Sequence, residues 1–160
     1  MSLDKYSGPW NSEVVLHLLR RTSFVPKKSN LDQALLDGMD VTVDKILTPK
    51  TNVEPPLNYA FENDPNVPIG ETWVVAPFSQ TVGLNQYRGA SLAGWIIGQM
   101  VEDSISIEEK MILFWHNHFV VSNIEDPRFL YRNYEMLRTN ALGNFRTFVQ
   151  KVTTDPSMLR

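Results

Sequence analysis

Ser106-Ile107-Glu108-Glu109-Lys110-Met111-Ile112-Leu113-Phe114-Trp115-His116-Asn117-His118-Phe119 is the stretch whose reading decides the fold. It opens with a serine and has a glutamate three residues later. That is a capping box, in which Ser106 caps and Glu109 reaches back to the chain start. No proline or glycine interrupts the run until Pro127. At about 100° per residue, Ile107, Met111, Phe114 and His118 fall within about 60° of one another, with Trp115 adjacent. The spacing predicts an amphipathic helix to about Val121, with His118 in the middle of its apolar stripe. His116 then lies about 160° away, near Glu109.

Other helices read outward from this one. Pro127 starts a helix that Gly143 ends, and its apolar face holds Phe129, Leu130, Leu137 and Ala141 together with Asn133 and Asn140. Asn144 caps a further helix with Phe145, Phe148, Val149 and Val152 inward. Asp155-Pro156 begins one more, which has no room to run before Arg160, as in a fragment of a longer chain. Towards the N-terminus, Asn11 or Ser12 caps a helix with Val14, Val15, Leu18 and Leu19 on one face, ending near Ser23. Ser29-Asn30 opens a short helix closed by Gly38, and Asp40 opens another that Pro49 ends. Residues 84–103 read as a helix in which Ala90, Gly94 and Gly98 recur every four residues. Such a ridge of small side chains lets a neighbouring helix approach closely.

Residues 48–82 differ from the rest. Pro49, Pro55, Pro56, Pro65, Pro68 and Pro77 lie here, and missing donors with fixed φ forbid a long helix. The stretch reads as a long proline-rich excursion, with Trp73-Val74-Val75 as a short strand or an apolar anchor.

The totals narrow the classes. With 160 residues the chain has the size of one ordinary domain, and 42% hydrophobic residues suffice for a core. There is no cysteine, so disulfides and thiolate metal sites are excluded. A net charge of −3 argues against a general nucleic-acid binder. Residues 51–109 hold eight acids against Arg88 alone, while residues 127–160 hold six bases against Glu135 and Asp155. The two halves either face each other, sit on different solvated faces, or leave a basic patch free. Met1-Ser2-Leu3-Asp4-Lys5 is not followed by the apolar stretch of a signal peptide, and no apolar run is long enough to span a membrane.

The candidate site residues are polar groups placed among apolar ones. His118 is either a hydrogen-bonded core histidine or a ligand or base, and His116 is a half-exposed helix residue or a second candidate. Histidines two apart lie on opposite sides of a regular helix and cannot hold one metal ion unless the helix breaks near Asn117; the zincin pattern needs the i, i+4 spacing with a glutamate between. On the first helix, His17 and Arg21 lie one turn apart at the edge of the apolar face. His118, Asn133 and Asn140, with His17 or Arg21, are expected to meet in one polar network between helices, or else each is satisfied locally. No glycine-rich phosphate loop, nucleophile elbow or paired-carboxylate signature is present.

Three segments resemble a large bacterial family catalogued as domain of unknown function 1800. They are His17-Leu18-Leu19-Arg20-Arg21-Thr22-Ser23-Phe24 with the later Val43-Asp44-Lys45-Ile46-Leu47; Glu109 through Phe119; and Asn140-Ala141-Leu142-Gly143-Asn144-Phe145-Arg146 followed by Asp155-Pro156-Ser157-Met158-Leu159. The family usually has glycine where this chain has Val25. The resemblance implies a longer, often exported protein of which this is the N-terminal portion. It brings no established activity, and therefore no catalytic residues.

The expectation is an all-α, orthogonal or irregular multi-helix bundle of six or seven helices, a single helical domain over 1–160, packed around Trp115, Phe114, Met111, Leu137 and Phe148. Two functions fit it. One is a scaffold or interaction module without cofactor, whose partner is its own chain beyond Arg160. The other is part of a metal-assisted or histidine-dependent hydrolase, with His116 or His118 contributing and the rest lying beyond Arg160.

Overall fold

The computed structural model describes residues 4–50, 53–102 and 104–159. Met1-Ser2-Leu3, the expected helix end at Asp103, and Arg160 lie outside the described residues. The fold is all-α: α1 (Ser12–Thr22), α2 (Lys28–Leu47), α3 (Leu84–Val101), α4 (Glu108–His118), α5 (Pro127–Asn140) and α6 (Phe145–Thr153). None of the described helices is long and apolar enough to cross a membrane.

Local chemistry sets most boundaries. The Asn11 side chain accepts from Val14 N at 3.1 Å, and Asn144 accepts from Thr147 N at 3.1 Å. Each satisfies an orphan donor of its helix. Pro127 opens α5 behind Asp126, which accepts from Arg128 N. Gly38 (φ 76°, ψ 174°) breaks α2 into two helical parts, the two separate helices expected there. Asp155 opens a single turn, its carboxylate accepting from Ser157 N at 2.9 Å.

Several expectations need correction. Ser106 does accept from Glu108 N, at 3.1 Å, but Glu109 does not close a capping box, because its carboxylate is drawn into a buried ion cluster. α4 stops at His118, short of Val121. The ridge of Ala90, Gly94 and Gly98 receives no helix packed closely on its glycines: among the described residues a Cβ at Gly94 or Gly98 would meet nothing within 4 Å, while Tyr59 and Ala60 line a groove beside it.

The helices enclose two apolar clusters. In the larger, Trp73, Trp95, Ile112, Tyr134, Leu137 and Phe148 are buried, with Met111 and Trp115 packed against them. α5 runs through it and touches α3, α4 and α6. Phe114, expected inside, is instead 53% exposed. In the smaller, Val15, Leu19 and Ala34 join α1 to α2, with Trp10, Leu31 and Ile105 against them. Polar contacts tie this hairpin to α4: Ile107 N donates to Ile46 O at 3.1 Å, and Lys110 Nζ donates to Arg20 O at 2.8 Å at the C-terminal end of α1.

Between α2 and α3 the described residues form no helix and one isolated antiparallel bridge, Leu57 to Thr72. Prolines remove donors here, so side chains satisfy the backbone instead. Buried Asn58 donates to Phe61 O and Val67 O and accepts from Phe61 N. Trp73 is an anchor and not a strand residue. It is fully buried, its indole donates to Ser91 Oγ at 3.2 Å, and Val75 beside it is exposed. Trp95 Nε1 donates to Glu54 O at 2.8 Å, and Arg88 pairs with Asp64 at 2.6 Å, both nearly wholly buried. These contacts lay the segment against α3.

Gly38 adopts a backbone conformation that only glycine takes without strain. We expect Gly38→Ala to cost about 1–3 kcal/mol of stability, read by denaturant unfolding; an unchanged midpoint would remove the break from the account of α2.

Candidate functional site

The charged residues most deeply buried on α4 and α5 converge on one guanidinium. Arg138, 6% exposed at its side chain, donates from Nη1 to Glu109 Oε1 at 2.7 Å and lies 3.5 Å from Glu108 Oε2. The Tyr134 hydroxyl donates to Glu109 Oε2 at 3.1 Å. From the end of α2, Lys50 Nζ lies 3.8 Å from Glu109 Oε1, and Lys50 N donates to Glu108 Oε2 at 3.3 Å. Glu135, one turn before Arg138, places Oε1 3.4 Å from Arg138 Nε. The rings of Trp95 and Tyr134 lie 5.6 Å and 5.5 Å from the guanidinium carbon. A cavity of about 280 Å³ adjoins this cluster, lined by Lys50, Val53, Glu108, Glu135, Arg138 and Thr139 among others.

The electrostatics follow from burial. Desolvation raises the Glu108 pKa, and Arg138 and the Lys50 N–H oppose that only in part. Glu135 is raised for the same first reason, opposed by Arg138. For Arg138, burial works against the charge, but the bond to Glu109 and its field outweigh it, so the pKa rises. Burial pushes the Tyr131 hydroxyl up to about 12, and it raises Tyr134 as well. Neither phenol therefore titrates near neutrality. The Glu109 oxygens are taken by Arg138 and Tyr134, which makes the cluster a brace between α4 and α5 in place of a free base.

The residues singled out in the sequence do not converge here. His118 is exposed at the end of α4, its ring 6.2 Å from Phe114, 6.0 Å from Trp115 and 4.7 Å from Phe119. His116 is half-buried, and α4 is continuous through both, so they stay on opposite sides. His17 and Arg21 are exposed on α1. Asn133 is buried and donates to Asp155 Oδ1 at 3.2 Å, while Asn140 donates to its own helix at Met136 O. Asn140 is thus satisfied within its own helix and Asn133 by the turn after α6, and the hydrogen bonds of the described residues do not join the five into one network. No group of three or more histidines, aspartates and glutamates is placed to hold a metal ion among the described residues.

Sequence reasoning missed Glu108, Glu109, Tyr134 and Arg138. The usable signal was the charge imbalance between the acidic and basic stretches, which meet at this cluster. A second was the i, i+4 placement of Tyr134 and Arg138 beside Leu137.

Removing one partner leaves a buried charge uncompensated. Arg138→Met should destabilise by about 3–5 kcal/mol in denaturant unfolding, whereas Arg132→Met on the exposed side of α5 should change little. Because the folded-state pKa of Glu108 is raised, the folded chain binds more protons than the unfolded one, and stability falls as pH rises above the ordinary value of 4.5. Glu108→Gln should therefore gain on the parent as pH rises from there. A gap independent of pH would contradict this account of Glu108.

The model of the family described as Protein of unknown function (DUF1800) matches residues 17–160. No curated protein and no solved structure matches the chain. The match begins at His17 within α1 and takes in every later helix, the buried cluster and the aromatic–histidine end of α4. The chain belongs to the DUF1800 family.

Proposed function

We propose that these residues form the N-terminal helical module of a longer, exported bacterial protein, a non-catalytic scaffold on which further chain packs. The observation that carries this reading is an exposed aromatic face. Phe114 and Phe145 are 53% and 57% exposed, on either side of half-buried Trp115, whose ring lies 4.8 Å from Phe114 and 5.6 Å from Phe145. Exposed His118 extends the face, its ring nearly parallel to that of Phe114. Large rings clustered at a surface are the usual anchors of a docked partner. The brace at Arg138 supports the same reading, since it fixes α4, which carries Phe114, Trp115 and His118, against α5.

A hydrolase part remains the second reading, and the solvent-exposed ring of His118 is what favours it. Stoichiometric metal by elemental analysis, lost in His118→Ala, would replace the scaffold reading with this one.

Phe114→Ser with Phe145→Ser tests the scaffold. Both side chains are about half exposed, so the 160-residue chain should lose no more than about 3 kcal/mol. The longer protein should lose markedly more. Equal responses in both would overturn the docking face.

A further inference from the structure

Arg138 uses only part of its hydrogen-bonding capacity. Its Nη1 donates to Glu109 Oε1. Its Nε and Nη2 are buried, and neither has a hydrogen-bond acceptor among the described residues. A guanidinium carries these two nitrogens on one edge, with parallel N–H bonds that match the two oxygens of a carboxylate. Buried donors are nearly always paired, and a native exception calls for an explanation.

Glu135 stands at this edge without completing it. Its Oε1 lies 3.4 Å from Arg138 Nε, yet both atoms remain buried without a hydrogen bond. The two are held by an ion pair of poor direction. The Glu135 side chain is 33% exposed, so it can turn outward into water. Its departure removes one negative charge from the cluster, and a carboxylate that takes its place restores the balance.

Arg138 and Glu135 line the cavity of about 280 Å³, together with Pro49, Lys50, Val53 and Glu108 among others. That volume is just below the roughly 300–1,000 Å³ of pockets for drug-sized ligands, and it suits an acid of a few carbons. Pro49 and Val53 offer apolar contact to a short chain, and Lys50 adds positive charge to the wall. Two cations in the wall disfavour a metal ion. Burial raises the pKa of Glu108 and of Glu135, which favours their neutral forms and lowers the repulsion an entering anion meets. A monocarboxylate brings a single charge against these two acids, where a phosphate brings up to two.

We propose that the cavity beside Arg138 binds a short-chain monocarboxylate, which displaces Glu135 and accepts from both Nε and Nη2. The site shares no residue with the aromatic face of α4 and α6 and does not rest on the scaffold reading.

The test is an NMR titration of the 160-residue chain with acetate, balanced with chloride at constant ionic strength, following the Arg138 Nε–H resonance. Acetate should move that resonance saturably, and chloride alone should not. Glu135→Ala clears the edge and should tighten acetate binding by about tenfold or more. Arg138→Lys keeps a charge beside Glu109 and lacks the edge. Followed at the indole N–H of Trp95, whose ring lies 5.6 Å from the guanidinium carbon, it should lose saturable binding, with melting temperature as a check on folding. A parent that shows no saturable shift would overturn the proposal. So would a Glu135→Ala variant that binds acetate no more tightly than the parent, or a folded Arg138→Lys variant that still binds it. Saturation by inorganic phosphate and not by acetate would overturn it too, by assigning the edge to a different anion.

Discussion

A positive charge buried between two helices organises this molecule. Arg138 on α5 is held by Glu109 and flanked by Glu108 on α4, by Tyr134 on its own helix and by the indole of Trp95 on α3. Three helices therefore meet at one guanidinium. Hydrophobic contact alone tolerates sliding, since a leucine pays little for a shifted neighbour. An ion pair cut off from water does not, because a displaced partner leaves a charge without compensation. Lys50 adds a fourth constraint from the end of α2, and so draws the irregular stretch that follows it to the same point.

That arrangement also explains which part of the architecture could be read from the residues. Starts at Asn11, Asn144 and Pro127 are local events, decided by one side chain and the next few amides, and local sequence contains them. The break at Gly38 is of the same kind. The orientation of α4 is not. Angular reading assumes that apolar residues mark the inside. Here Glu108 and Glu109 are inside, with Ile112. The true inner face is rotated by roughly one residue from the stripe of Ile107, Met111, Phe114 and His118, which is about 100° on a helix. His118 moves to the surface as a result, and with it the case for a histidine-centred polar network. The compensating cation lies 29 residues away in the chain, beyond the reach of any local pattern.

Residues 53–83 were opaque for a related reason. Asn58, Trp73 and Ser91 satisfy the segment through side-chain bonds, several of them to backbone distant in sequence, so the hydrogen-bond pattern lacks periodicity. Their composition announced only that no long helix could form. The small residues of α3 were legible as a ridge, but sequence could not say that no described neighbour would close on Gly94 and Gly98.

The separation into two apolar clusters has a consequence for how the molecule opens. The α1–α2 hairpin keeps its own small core, with Ile105 against it and a few polar contacts reaching α4. Cooperative units of this kind exchange their amide hydrogens on separate schedules. The hairpin would part from the larger body while α4 and α5 remain clasped at Arg138. The protein then has two opening free energies, the lower one belonging to its first two helices.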